Sequence, residues 1–329
     1  MSAFRSGLRS LLPANVSLLS GPGCPVCVTP NSYLDKAISI AQHPDTIVAT
    51  FGDMVRVPGS HSSLELARAQ GADVRVVYSP AEAVSLAKDK TDKKVVFLGV
   101  GFETTIPAIG WTIKEAADNK IDNFSVLCSH KTIPGPMGAL CEAGDIGVDG
   151  FMCPGHVSVI IGAKAYEPLS KQYKVPCVVT GFEPWDMLHG IEMLLLQIAE
   201  GQSKVEIQYA RSVDWEGNEQ AQAIIDEIFE PCDTEWRGLG VLPASGLKIR
   251  EKYSAHDAEI QFDKIDMPEA KENPGCICGE ILRGIKTPHD CLLFNAVCTP
   301  DSPVGACMVS SEGTCAAYYK FARKKEEDT

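Results

Sequence analysis

Six of the thirteen cysteines lie between Cys276 and Cys315, and four of them, Cys278, Cys291, Cys298 and Cys315, are separated by gaps of 12, 6 and 16 residues. Thiolates on loops and helix ends are the ligands that an iron–sulfur cluster or a structural zinc requires. A four-cysteine zinc site brings its ligands in tight pairs, so these wide gaps suit a cubane cluster better. Cys276 stands two residues before Cys278, which keeps a zinc reading open. A second thiol pair, Cys24 and Cys27, sits far upstream in Gly21-Pro22-Gly23-Cys24-Pro25-Val26-Cys27.

The glycines and prolines of that segment set a tight turn after an expected strand and before a helix. At a helix start, exposed N–H groups and the macrodipole stabilise a thiolate, which makes Cys24/Cys27 a dithiol/disulfide candidate. A structural turn with two buried thiols, or half of a split zinc site, is the alternative. Gly99-Val100-Gly101-Phe102-Glu103-Thr104-Thr105 falls where a strand meets a helix. It lacks both the P-loop lysine and the third glycine of a dinucleotide fingerprint. Thr104 or Thr105 can cap the next helix, and Glu103 at a strand end is costly to bury unpaired, which favours a cleft. Pro154-Gly155-His156-Val157-Ser158 repeats the strand–turn–helix placement, so His156 is a candidate acid/base or proton relay. His130 is a weaker one. No Ser/His/Asp order or paired-carboxylate spacing points to hydrolysis.

The elements that would position these groups alternate. Strands are expected at 16–19, 46–50, 74–78, 95–100, 124–128, 150–153 and 177–180. Helices are expected at 32–42, 63–70, 81–88, 106–119, 137–143, 157–166 and 184–200. This βαβα rhythm predicts an α/β protein with parallel sheets covered by helices, and binding groups at the C-terminal strand ends. The polar stretch 90–94 suggests a first α/β domain over 1–92 and a second over 93–205. Gly101-Phe102-Glu103 and Gly181-Phe182-Glu183 form a weak internal echo. Beyond 205 the pattern degrades into a third domain, 206–329. A helix at 218–229 is followed by loops through Trp236-Arg237-Gly238-Leu239-Gly240, and a helix at 312–325 carries Cys315 ahead of a frayed end. Such a cysteine-bearing region is one that a metal could hold together.

The chain has 329 residues and a net charge of −13, with 45% hydrophobic and 22% charged residues. An acidic balance of this size argues against general nucleic-acid binding, which needs a basic face. No apolar run approaches the length of a membrane span, and the N-terminus has no secretory pattern. The cysteines are too sparse and uneven for a disulfide scaffold, which places the protein in a reducing cytoplasm.

In this order, Gly21–Cys27, Gly101–Thr105, Pro154–Ser158, Trp236–Gly240 and the tail from Cys278 to Cys315 with Ser310-Ser311-Glu312-Gly313 resemble the HypD family of [NiFe] hydrogenase maturation factors. The resemblance covers nearly the whole chain. It implies two Rossmann-like parallel-sheet domains and a loop- and helix-rich third domain wrapped around a [4Fe-4S] cluster. Cys278, Cys291, Cys298 and Cys315 would be the cluster's ligands, with Cys276 and Cys307 as bystanders. Cys24 and Cys27 would be the redox-active pair coupled to the cluster, and Glu103, Thr104, Thr105 and His156 would line the central cleft. The partners implied are a HypC-type small chaperone and a HypE-type cyanide donor, and the cargo is a transient Fe(CN)2CO iron.

The family also carries an upstream Cys-Gly-Gly-His-Thr-His motif whose cysteine would bind that iron. This sequence has no such motif, and residues 4–13 already resemble the family's stretch just downstream of it, so a truncated chain or a mis-chosen start is expected. The reading is therefore a metallocentre assembly factor rather than a turnover enzyme. A zinc-stabilised α/β binding module and a cluster-dependent thiol–disulfide reductase are the alternatives.

Overall fold

The computed structural model describes residues 2–143 and 147–322. Among the described residues, nine strands form two sheets. β1 (Thr46–Thr50), β2 (Asp73–Val76), β3 (Lys94–Gly101) and β4 (Phe124–Lys131) pair in parallel in the order β2-β1-β3-β4. β5 (Phe151–Pro154), β6 (Cys177–Thr180) and β7 (Val205–Ile207) form a second, wholly parallel sheet. A hairpin of β8 (Phe229–Trp236) and β9 (Gly240–Ile249) returns to the first sheet, with β9 antiparallel to β4. The protein is thus mixed α/β, as the alternating pattern predicts. β3 and β4 lie beyond the polar stretch at 90–94 yet pair with β1 and with each other, so the first sheet runs through that stretch.

Strand side chains alternate between faces, and the first sheet uses both. Ile47, Ala49, Val95 and Phe97 enter one core beneath helices Pro80–Asp89, Ile106–Asp118 and Glu219–Ile228. Val48, Val96, Leu98 and Val100 enter the other, beside helices Pro25–Val28 and Asn31–Gln42. That second core is continuous with Cys24 and Cys27, with Cys153 and Cys177 of the second sheet, and with Cys278, Cys298, Cys307 and Cys315 of the tail.

Two expectations about elements fail. Residues 16–19 form no strand; Val16 and Leu18 instead pack beside Met187 and Ile191 of helix Pro184–Ala199, and Val16 N–H closes a turn on the Pro13 carbonyl at 2.9 Å. The stretch expected as loop around 229–249 is the hairpin. In the tail, the helix expected at 312–325 spans Thr314–Phe321, and the end at 323–329 lies outside the described residues.

Candidate functional site

Cys24 occupies the N-cap of the short helix Pro25–Val28, in an extended conformation that leaves its sulfur facing the first turn. It accepts the Cys27 backbone N–H at 3.3 Å, and the Cys27 thiol donates to it at 2.6 Å. Both residues are buried. The two environments are opposite. Hydrogen bonding by the Cys27 thiol holds Cys24 below an ordinary thiol, against the effect of burial. Donation to Cys24, contact with Cys307 and burial push Cys27 well above one. A thiolate-prone sulfur beside a protonated one is the arrangement a dithiol needs to close and reopen a disulfide.

All six tail cysteines, Cys276, Cys278, Cys291, Cys298, Cys307 and Cys315, line one small cavity with Ile281, Leu293, Phe294 and Met308. Hydrogen bonding by the Cys278 thiol holds Cys276 down at about 6, helped by the Cys278 N–H and the Arg237 charge. The same contact and burial push Cys278 up, and burial does the same for Cys315. Among the described residues no three His, Cys, Asp or Glu side chains are arranged to hold one metal ion. Six thiol donors lining one cavity have the soft-ligand chemistry that a thiolate-ligated metal group takes. Cys307 lies between the two thiol groups: it lines the cavity and also faces Cys27.

One turn fastens both groups. Arg237 N–H donates to the Val28 carbonyl at 2.8 Å and Arg237 Nε to the Thr29 carbonyl at 2.9 Å, clasping the end of the Cys24–Cys27 helix. Its neighbour Gly238, at φ +73°, packs so closely on Gly279 that a Cβ there would stand 2.2 Å from the Gly279 Cα. Gly279 directly follows Cys278 in helix Cys278–Leu282. On the other side, Trp236 stacks on Phe102 at 6.1 Å and donates from Nε1 to Ser245 Oγ at 2.9 Å.

Glu103 follows β3 and is 3% exposed. Its Oε1 accepts the Ile133 N–H at 2.8 Å, while Oε2 is buried with no hydrogen-bond partner among the described residues. Burial raises its carboxyl to about 7, partly offset by backbone N–H donors. Thr105 folds back so that its hydroxyl donates to the Phe102 carbonyl at 3.2 Å, and a Cβ on Gly101 would collide with it at 1.8 Å. Thr105 thus shapes a tight turn and makes no side-chain cap to helix Ile106–Asp118, and Thr104 is exposed. His156 is exposed at the start of helix Gly155–Ile161, with its ring against Phe182 at 4.3 Å. Among the described residues no hydrogen bond joins Glu103, Thr104, Thr105 or His156 to Cys24 or Cys27. His130 is buried against Phe229, and burial together with Lys131 lowers it to about 3, so it stays neutral at physiological pH.

A cleft of about 540 Å³ opens beside Gly21–Gly23, walled by the extended segment 15–20 and by Ile133, Met137, Phe151, Leu194 and Trp236. It is large enough for a small ligand or a peptide segment. Sequence reading misses Arg237 as an individual residue and the closeness of Cys307 to Cys27. The Trp236–Gly240 string is visible, but its contact with the thiols depends on the hairpin that carries it.

The HypD family model, described as the hydrogenase formation hypA family, matches residues 1–322. A hydrogenase maturation factor HypD of Rhizobium leguminosarum bv. viciae is 47% identical over 331 residues, covering 98% of this chain and 86% of the relative. That of Azotobacter vinelandii is 49% identical over 330 residues, covering 98% and 87%. A putative hydrogenase expression/formation protein of Methanocaldococcus jannaschii is 48% identical over 319 residues, covering 96% and 88%. Matched nearly end to end by the family model and by these relatives, the chain belongs to the HypD family of hydrogenase maturation factors.

Proposed function

We propose that this maturation factor is a redox-active scaffold on which the Fe(CN)2CO iron of [NiFe] hydrogenase is handled. In this reading the Cys24/Cys27 pair is coupled to a [4Fe-4S] cluster held by Cys278, Cys291, Cys298 and Cys315. The observation that carries it is the adjacency of the thiol pair to a six-cysteine cavity, with Cys307 between them. A cluster in that cavity would supply one-electron exchange next to a two-electron thiol couple. The chain's own residues do the rest. Starting from one thiolate and one thiol, closing the Cys24–Cys27 bond passes two electrons, one at a time, to an external electron acceptor and releases the Cys27 proton. An external electron donor and a proton reverse the step and restore the Cys24 thiolate, the form that binds metal. Arg237 and Gly238 hold the two thiol groups in register. Glu103, with a carboxyl near 7, can hold or give a proton at the end of β3 at cellular pH. The cleft beside Gly21–Gly23 is the site we assign to the cargo iron and to a HypC-type chaperone, with a HypE-type donor supplying cyanide; Glu103, Thr104, Thr105 and His156 follow the ends of β3 and β5 and do not line it.

Anaerobic purification with a visible spectrum and iron, sulfide and zinc analysis tests this directly. A brown chain with about four irons and four sulfides is expected. Cys24→Ala should keep that colour while hydrogenase maturation is lost in a strain dependent on this protein. One zinc and no sulfide, or undiminished maturation with Cys24→Ala, would sink the redox role.

A further inference from the structure

β5 is an edge strand: it pairs with β6 and, among the described residues, with no strand on its other side. The Phe151 N–H donates to the Pro176 carbonyl at 2.9 Å, so alternation along the strand turns the Met152 N–H and C=O away from β6, to the open side. That side is the cleft of about 540 Å³, and across it runs the extended segment 15–20. Both faces of the gap are apolar. Val16, Leu18 and Met152 lie with Met187 and Ile191 of helix Pro184–Ala199, whose Leu194, Leu195 and Ile198 continue the wall. Ile133 and Met137 line the gap from the shared core, to which Phe151 and Cys153 also turn. Leu195 and Ile198 remain 41% and 42% exposed, so this wall has room for a covering group. A strand edge on one side, extended chain on the other and apolar walls on both faces outline a strand position in a parallel sheet covered on both faces. The outline also accounts for residues 16–19, an apolar run whose neighbour is the gap instead of a strand.

We propose that the cleft is a vacant strand position of the second sheet and takes an extended apolar segment of a partner polypeptide, paired through its backbone to Met152. The occupant follows from the walls. An unpaired strand edge selects an extended backbone whose own N–H and C=O groups are free. Two apolar walls select a segment that is apolar on both faces, about as long as the four-residue β5. Gly21–Gly23 border the same cleft and lead into Cys24, so the docked segment lies along the approach to the thiol pair. The inference deepens the docking role proposed for this cleft and rests on it for the identity of the partner; the shape of the slot rests on the fold alone.

The probe is a fluorescein-labelled peptide, Lys-Lys-Val-Ile-Val-Ile-Lys-Lys, titrated against the full chain and followed by anisotropy. Two further peptides carry N-methyl groups on alternate apolar residues, one set and then the other, so that each keeps its charge but lacks the donors of one edge. Saturable binding is expected, weakened about tenfold or more by at least one methylated set. Equal binding of all three peptides would mean an apolar groove without backbone pairing, and that result or no binding overturns the inference. Leu195→Lys puts a charge into the cleft from an exposed position and should weaken binding by a similar factor with circular dichroism unchanged. Unaltered binding to that variant would place the peptide elsewhere and overturn the inference. Met152→Pro removes the edge N–H where proline is tolerated and should act likewise; if it does not fold, Leu195→Lys decides. Sedimentation of the chain alone should give a monomer, and a dimer that Leu195→Lys dissociates would make a second copy the occupant and overturn the partner. Failure of the peptide to bind leaves the iron and sulfide content and the Cys24→Ala phenotype untouched. A chain that binds the peptide but takes up no iron or sulfide sinks the proposed redox function and leaves the slot standing.

Discussion

A thiol that receives hydrogen bonds ionises readily, and one that donates into a dry site keeps its proton, so a single 2.6 Å contact divides Cys24 from Cys27. Glu103 shows the same dependence on surroundings, with a consequence for stability. Its carboxyl sits at about 7 in the folded chain because it is buried, against an ordinary value of 4.5. Between those two values the folded state holds a proton that the unfolded state has released. Stability therefore falls as pH rises through that window and levels off above it. Across the whole window the shift corresponds to about 3 kcal/mol. Glu103→Gln should abolish this slope, since its amide oxygen can still accept from Ile133 N–H while no charge forms. Urea unfolding of both chains from pH 5.5 to 8 measures it, and parallel curves would show that Glu103 is not the titrating group. A carboxylate at a strand end is reason enough to single out Glu103 from the sequence. Nothing in the sequence signals that Oε2 is left without a hydrogen-bond partner among the described residues, because that depends on how Ile133 and the turn at 101–105 close over it.

Parallel strands buried on both faces read clearly, and β1, β3 and β6 lie close to where their β-branched runs predict. β8 does not. Its sequence Phe-Glu-Pro-Cys-Asp-Thr-Glu-Trp carries three charges and, at the third strand position, an exposed proline, which is tolerated only at a sheet edge. That edge exists only once β9 has docked on β4, so the local pattern cannot announce it. Residues 16–19 are the reverse case, an apolar run that buries itself against a helix without a strand partner. The hairpin matters because its turn joins the two thiol groups. Gly238→Ala should cost about 2–5 kcal/mol, combining left-handed strain with collision against Gly279. Gly240→Ala is the matched control: φ is +77° there but nothing stands within 4 Å, so only the conformational cost of about 1–2 kcal/mol applies. Equal denaturation midpoints for the two variants would mean that the Gly238–Gly279 contact is slack.

At the scale of the molecule, the four-residue helix Pro25–Val28 and the loop-rich tail both lack the length to be stable alone. They share one core with the inner face of the first sheet. Ligation of the proposed cluster by the tail should therefore be felt well beyond the ligands, because residues that share a core open together. Hydrogen exchange on the iron-loaded chain, before and after anaerobic chelation, tests this. Protection should fall in 276–320, and also in the helix at 25–28 and the turn at 236–240, which hang on the tail through Arg237 and Gly238. Helices Pro80–Asp89 and Ile106–Asp118 should be unchanged, since they pack in the separate core on the opposite face. A loss confined to 276–320 would mean that the tail is an independent module, and the thiol pair would then owe its position to the first sheet alone. A loss that includes 25–28 and 236–240 would mean that occupancy of the cysteine cavity sets the order of the Cys24–Cys27 pair, so that the scaffold assembles its redox site only when its own metal is in place.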